Sequence, residues 1–156
     1  AAQATCRARD NAPRKAAMSG SLPVRVGQHS EAGRKPVNQD FCGATTPAGA
    51  SLGAKGVCVA LADGISSSDL SRLASQAAVS GFLEDYYCTP DAWSVQRSAQ
   101  RVIAATHSWL HAQTRRGLYA HHHYKGDVRT LAVMVLQSRV AHIFHIGDSR
   151  PHPLTG

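Results

Sequence analysis

An apolar run of seven residues, GVCVALA at 56–62, ends abruptly at Asp63 and Gly64. A short continuous apolar run that contains two valines is typical of a buried strand. The carboxylate of Asp63 would then be held on rigid backbone at the edge of the core. Gly64 would let the chain turn and let a backbone carbonyl approach a ligand. Hard cations prefer such oxygen ligands, so the run predicts a strand that presents a cation site. A simple turn or helix cap at Asp-Gly is the alternative.

The remaining strands are predicted from shorter patterns. Residues 23–28 contain Val24 and Val26 on one face, which favours a short strand. Residues 45–56 are rich in glycine, alanine and proline and suit a hairpin connection. The segments 130–136 and 140–146 have the signature of a β-hairpin.

Two long helices are predicted between these strand regions. The first covers residues 69–87, and Ser68 or Asp69 is a suitable cap. The second begins at Thr89-Pro90-Asp91 and ends near Thr114. The apolar faces expected for them are Leu70, Leu73, Ala74, Ala77 and Gly81, and Val95, Ala99, Val102, Ile103, Thr106 and Leu110. Runs of strands and helices, without strict alternation, predict an α+β layered domain.

Charge and composition narrow the function classes. The net charge is +7, and residues 1–22 are expected to form a disordered basic leader before a domain at 23–156. The other basic residues are scattered and not interleaved with aromatic residues, so we expect no nucleic-acid partner. No apolar run reaches the ~18 residues of a membrane span. Four cysteines without a Cys-x-x-Cys pair suit reduced thiols in the cytoplasm.

Other residues could also carry chemistry. Asp40 follows Asn38-Gln39 in a glycine-containing basic segment, where a solvated loop is the alternative. Asp148 and Arg150 follow the last predicted strand and could contact a ligand or form a structural ion pair. His107 and His111 are four residues apart on a predicted helix, a spacing that suits a metal ion but is more common on an ordinary helix surface.

Five stretches occur in the order found in one family. They are GRKPVNQD (33–40), VALADGISS (59–67), LASQAAV (73–79), RTLAVMVL (129–136) and AHIFHIGDSR (141–150). Together they resemble the PPM-type (type-2C) protein serine/threonine phosphatases. The stretches FLEDYYCTPDAWSV (82–95) and SWLHAQT (108–114) are similar to bacterial proteins in which such a phosphatase is fused to a serine/threonine kinase domain.

The resemblance implies a four-layer sandwich of two antiparallel sheets flanked by helices. It also implies two manganese or magnesium ions and a phosphorylated protein substrate, with water as the nucleophile and no catalytic protein nucleophile. Asp63 would bridge both ions, the Gly64 carbonyl would bind one, and Asp40 would match a further metal-centre acid. Lys35 or its neighbour Arg34 would hold the substrate phosphate.

The sequence departs from the family pattern at several positions. Gln39 stands where a glutamate is usual, and GDVRT (126–130) stands where Gly-Ser/Thr-Thr is usual. Pro151 and Pro153 interrupt a region where a strand should continue, and the expected C-terminal metal-binding acids are not found before Gly156. We therefore expect a partial domain that is inactive as a phosphatase. A non-catalytic module that binds phosphoprotein or a kinase is the alternative.

Overall fold

The computed structural model of the protein describes residues 24–64, 69–116 and 128–147. The elements in chain order are β1 (Phe41–Thr45), α1 (Ala50–Lys55), β2 (Val57–Gly64), α2 (Asp69–Cys88), α3 (Val95–Arg116), β3 (Val128–Gln137) and β4 (Val140–Ile146). The strands form one antiparallel sheet in the order β1-β2-β3-β4. This is the α+β architecture that the sequence predicts. The predicted leader at 1–22 lies outside the described residues.

One face of the sheet carries small side chains that are covered by α2. Cys58, Ala60 and Ala62 of β2 are completely buried, which confirms the prediction of a buried strand. Their register partners on β3, Val135, Val133 and Leu131, belong to the same core. Gly43 of β1 lies in this row, and a Cβ atom there would meet the Leu83 side chain at 2.9 Å. The small residues therefore allow the helix to lie close to the sheet.

The buried face of α2 differs from the predicted one. Leu73 is 51% exposed, and Ala74, Ala77 and Gly81 are only half-buried. The buried residues are Ser71, Ser75, Ala78, Val79, Phe82 and Tyr86. The prediction followed the larger apolar residues at the start of the helix. The helix instead presents small side chains there, because the facing strand leaves little space.

Helix α3 confirms its predicted inner face but not its predicted start. Val95, Ala99 and Val102 belong to the core, and Ile103 and Leu110 pack against it. The helix begins at Val95 because Ser94 caps it: Ser94 Oγ accepts a hydrogen bond from the Arg97 N–H at 3.2 Å. Pro90 belongs to a turn in which its carbonyl accepts from the Trp93 N–H. Within the described ranges, no helix is long and apolar enough to cross a membrane.

The expected hairpin connection at 45–56 contains a helix that the sequence reading missed. Helix α1 is six residues long and ends at Gly56, whose φ of 74° and N–H bond to the Leu52 carbonyl close it. A Cβ atom at Gly56 would collide with the Leu136 carbonyl.

The strand expected at 23–28 is not formed as a continuous strand. In its described part and just after it, Gly27 and His29 make isolated β-bridges.

The lysine at the end of α1 is fully buried, with 0% of its surface exposed. Its ammonium group donates to Thr89 Oγ1 at 2.8 Å, to the Pro90 carbonyl at 2.8 Å and to Ser98 Oγ at 3.1 Å. Tyr86 donates its hydroxyl to the Lys55 carbonyl at 2.9 Å. Burial lowers the pKa of Lys55, and the charge of Asp91 partly offsets this effect. Lys55 thereby joins α1 to the α2–α3 turn.

Strands β3 and β4 form the predicted hairpin, with Gln137 opposite Val140 and two turn residues between them. Ser138 adopts a φ of 55° in this turn. The sheet face opposite the α2 core includes Val59, Leu61, Met134 and Ile143, of which Ile143 is 43% exposed.

Candidate metal centre

The candidate acids lie side by side at one end of the sheet. Phe41 pairs with Ala62, so the continued antiparallel register places Asp40 opposite Asp63. Asp63 in turn pairs with Thr130 at the start of β3. Alternation along β1 and β2 places Asp40 and Asp63 on the sheet face opposite the α2 core. The fold thus brings together two acids that are far apart in the sequence.

The two carboxyl groups are close enough to act on each other. Burial raises the pKa of Asp40 to about 6, and a hydrogen bond with Asp63 and the like charge of Asp63 raise it as well. Two carboxyl groups this close indicate a place where negative charge is concentrated. A cation between them would relieve this repulsion.

Asn38 holds Asp40 in place, a role that the sequence reading did not assign to it. Its side-chain oxygen accepts a hydrogen bond from the Asp40 N–H at 3.1 Å. Its amide nitrogen donates to Ser30 Oγ at 2.7 Å. An Asn side chain that bonds to the backbone two residues later forms an Asx turn. The Asn-x-Asp spacing was the available signal for this role.

Gly64 is a glycine because a helix packs on it. A Cβ atom at this position would lie 2.8 Å from both the Cβ atom and the carbonyl oxygen of Ser71 in α2. The strand register also shifts between Asp63 and Gly64, since Gly64 pairs with Val128. The extra residue lies on β3, between Val128 and Thr130, and such a bulge bends the strand that carries it. Close approach of α2 is thus a further reason for this glycine, beside the turn and the carbonyl–ligand approach predicted from the sequence.

The predicted phosphate-binding residues lie in an exposed turn before the acids. Gly33 has a φ of 60°, and the Lys35 N–H donates to the Ala32 carbonyl at 3.1 Å. The positive charge of Lys35 acts on Asp40 and lowers its pKa, against the larger effects of burial and Asp63. Arg34 and Lys35 are both exposed, so either side chain is accessible to an anion.

Gln39 is buried beside the acidic pair, with only 3% of its surface exposed. Its side-chain nitrogen has no hydrogen-bond partner among the described residues. A buried amide without a partner is unusual, because most buried polar atoms are hydrogen-bonded. Gln39 therefore adds a polar but uncharged group to this end of the sheet.

The last two predicted site residues, Asp148 and Arg150, lie outside the described residues. Strand β4 ends at Ile146, and Gly147 follows with a φ of 85°. Because Leu131 pairs with Ile146, the chain leaves β4 at the same end of the sheet as Asp63. Asp148 thus remains a prediction for this site.

The fold is that of an α+β protein. The paired carboxylates at one end of its sheet form a candidate site for a hard cation. A family model described as Protein phosphatase 2C matches residues 27–151. The match covers most of the chain, and the protein belongs to that family. Neither the curated proteins nor the solved structures contain a match.

The described side chains fit part of the two-metal centre that this family implies. Asp40 and Asp63 supply two carboxylates close to each other, the donor type that magnesium and manganese prefer. Over the described ranges, no group of three or more His, Cys, Asp or Glu side chains is positioned to hold a metal ion. The two carboxylates are therefore fewer acidic side chains than such a centre requires, within the described residues.

The acidic pair should reduce stability when no metal is bound. The pKa of Asp40 is about 6 in the folded protein, against an ordinary value of 3.8. The folded state therefore binds this proton more tightly, and stability falls as the pH rises from about 4 to above 6. We expect Asp40→Asn to stabilise the metal-free protein at pH 7 by about 1 kcal/mol, after allowance for solvent screening of this partly exposed group. Urea unfolding between pH 4 and pH 8 measures the effect.

The exposed Asp85 of α2 provides a matched control, since Asp85→Asn removes a charge without an acidic neighbour in contact. Its effect should be small and should change little with pH. Lower stability of Asp40→Asn at pH 7 in a metal-chelating buffer would show that the two acids do not repel each other.

Proposed function

We propose that this protein hydrolyses phosphoserine and phosphothreonine in protein substrates with the help of divalent manganese or magnesium. The observation that supports this function best is the proximity of Asp40 and Asp63 at the sheet end of a protein phosphatase 2C domain. When bound, two such cations supply Lewis acidity and lower the pKa of water. No side chain of the protein then has to act as the nucleophile.

The residues of the chain divide the remaining tasks. Asp63 and Asp40 would hold the cations, and the backbone carbonyl of Gly64 would be a further ligand of one of them. Asn38 keeps Asp40 in position through the Asx turn. Lys35 and Arg34, in the exposed turn, orient the substrate phosphate and offset its charge. Asp148 and Arg150 are proposed to support this site.

The two-sheet arrangement of the family is part of the same proposal. The sheet face of Val59, Leu61 and Ile143 is apolar, and a second antiparallel sheet would cover it in a four-layer sandwich. Residues 82–95 and 108–114 are similar to bacterial proteins in which a phosphatase is fused to a kinase, so the gene product is proposed to carry a serine/threonine kinase domain as well. A cytoplasmic location is proposed from the widely spaced cysteines.

A non-catalytic module that binds phosphoprotein or a kinase is the second candidate function. Gln39 favours it, because a neutral amide stands at a position where the family usually has a charged acid. Two carboxylates provide roughly two negative charges against four positive charges of two divalent ions. We therefore expect the 156-residue chain to bind one metal ion better than two and to show no turnover.

Calorimetric titration with manganese and a phosphothreonine-peptide assay together test the function. The full-length gene product should release phosphate only with manganese or magnesium present. The 156-residue chain should bind manganese weakly and release none. Failure of the full-length product to release phosphate, with peptide binding retained, would establish the binding module instead. Two tightly bound ions and turnover in the short chain would contradict its proposed inactivity.

The basic side chains of Arg34 and Lys35 in the exposed turn should affect substrate binding more than metal binding. We expect Lys35→Gln in the full-length product to raise the KM for a phosphothreonine peptide several-fold, because a cation on the phosphate is lost. Arg34→Gln should have the smaller effect, because Lys35 is the basic residue of this turn whose charge acts on Asp40. The affinity for manganese should stay nearly constant in both variants. An unchanged KM in the double variant would identify the pair as ordinary solvated loop charges.

A further inference from the structure

Two histidines of α3 lie at the mouth of a cavity that the proposed phosphatase site does not use. His107 and His111 are both exposed and both line a cavity of about 290 Å³. Residues four apart on a helix occupy the same face, with Cβ atoms roughly 5–6 Å apart. The cavity lies between α3 and the sheet, with Ile103, Leu110 and Ile146 among its apolar lining residues.

We propose that His107 and His111 form a site for a transition-metal ion such as Zn²⁺. Imidazole nitrogen suits zinc, copper and nickel, whereas the carboxylates at the sheet end suit magnesium and manganese. Paired histidines at this helical spacing are the arrangement found in helix-borne zinc sites. The two sites therefore differ in the metal that they select.

The coordination at this site is open. Among the described residues, no third His, Cys, Asp or Glu side chain completes a metal-binding group with this pair. Water would fill the other positions, one more than in zinc sites that combine three protein ligands with an open position. Helix α3 itself carries no acidic residue between Val95 and Arg116, so the two imidazoles are its only metal-binding groups of the common types.

Two lining residues of the cavity belong to the segment of β3 that pairs with Asp63 and Gly64. Thr130 lines the cavity and pairs with Asp63 across β2 and β3. Val128, which also lines it, pairs with Gly64. A zinc ion on His107 and His111 would therefore lie near the strand segment that supports the acidic pair, although its binding does not depend on the proposed phosphatase function.

Zinc titration by calorimetry tests the proposal on the 156-residue chain with its thiols reduced. Magnesium is added in excess so that the carboxylate site does not contribute. His107→Ala and His111→Ala should each weaken one zinc-binding event at least ten-fold. Loss of a residue that merely supports a metal ligand already lowers metal affinity about ten-fold or more, and loss of the ligand itself should cost at least as much. His145→Ala is the matched control, because His145 is exposed on β4 and does not line the cavity.

A second readout separates this site from other zinc-binding groups. Zinc should raise the Tm of the wild-type protein and of His145→Ala more than that of a double variant with both His107→Ala and His111→Ala. Manganese binding should be the same in all four variants, which keeps the outcome independent of the phosphatase proposal. Equal zinc affinity in the wild type, His107→Ala and His111→Ala would overturn the proposal, and so would no zinc binding by the wild type. Either result would make the pair an ordinary helix surface.

Discussion

Replacement of Asp63 by asparagine is expected to abolish the manganese-dependent phosphatase activity of the full-length gene product and to leave the fold intact. Asp63 lies at the end of a strand whose core residues are completely buried, so its carboxylate is held on rigid backbone. Asparagine keeps the shape but loses the negative charge that a shared divalent ion requires. Because bound cations contribute several kcal/mol to such reactions, the rate should fall about 10²-fold or more. Phosphate release from a phosphothreonine peptide measures the loss.

The 156-residue chain provides an independent readout of the same substitution. Manganese binding by calorimetry should weaken strongly in Asp63→Asn, while the circular dichroism spectrum and the urea midpoint stay close to those of the wild type or rise. Asp85→Asn, which removes an exposed charge on α2, should leave binding and activity unchanged. An unaffected turnover rate in Asp63→Asn would remove Asp63 from the mechanism.

Truncation of the buried lysine should have the largest effect on stability. Lys55→Ala removes a side chain that is 0% exposed and leaves the Pro90 carbonyl without the ammonium donor. The variant loses the packing of three methylene groups as well as three hydrogen bonds. We expect the free energy of unfolding to fall by about 3 kcal/mol. Urea unfolding with linear extrapolation measures the change.

Lys55→Met separates the two contributions, because methionine keeps most of the volume but none of the donors. Its cost should be about 1 kcal/mol, since relief from burying the ammonium offsets part of the lost hydrogen bonding. Arg101→Ala on the exposed side of α3 is the control and should change stability by less than ~0.5 kcal/mol. A Lys55→Met protein more stable than the wild type would show that the three acceptors do not offset the burial of this charge.

The acids of the site could be selected from the sequence, but their proximity could not. The apolar run before Asp63 predicts a buried strand end, and the Asn-Gln-Asp segment singles out Asp40. That Asp40 meets Asp63 depends on the register between β1 and β2, which is set by packing of the small-residue face on α2. The role of Asn38 likewise becomes visible only when its hydrogen bonds to Ser30 and Asp40 are known.

Errors in the sequence reading occurred where a local pattern competed with tertiary packing. Thr89-Pro90-Asp91 has the composition of a helix start, yet Ser94 supplies the actual cap, while Pro90 offers its carbonyl to Lys55. Leu73 has the hydrophobicity of a core residue, yet it is exposed because the buried face of α2 begins with Ser71 and Ser75.

The sequence by itself determined the types of most elements and the position of the candidate acids. A continuous apolar run predicted β2, helical periodicity predicted α2 and α3, and two strand-like segments around a turn predicted the β3–β4 hairpin, because these patterns reflect local geometry and burial. Only the tertiary structure decided which face of α2 is buried, that a lysine lies in the interior, and that Asp40 and Asp63 lie opposite each other at one end of the sheet. These features depend on contacts between residues distant in the chain. A local pattern does not encode them, because burial and electrostatics depend on the complete surroundings of each side chain.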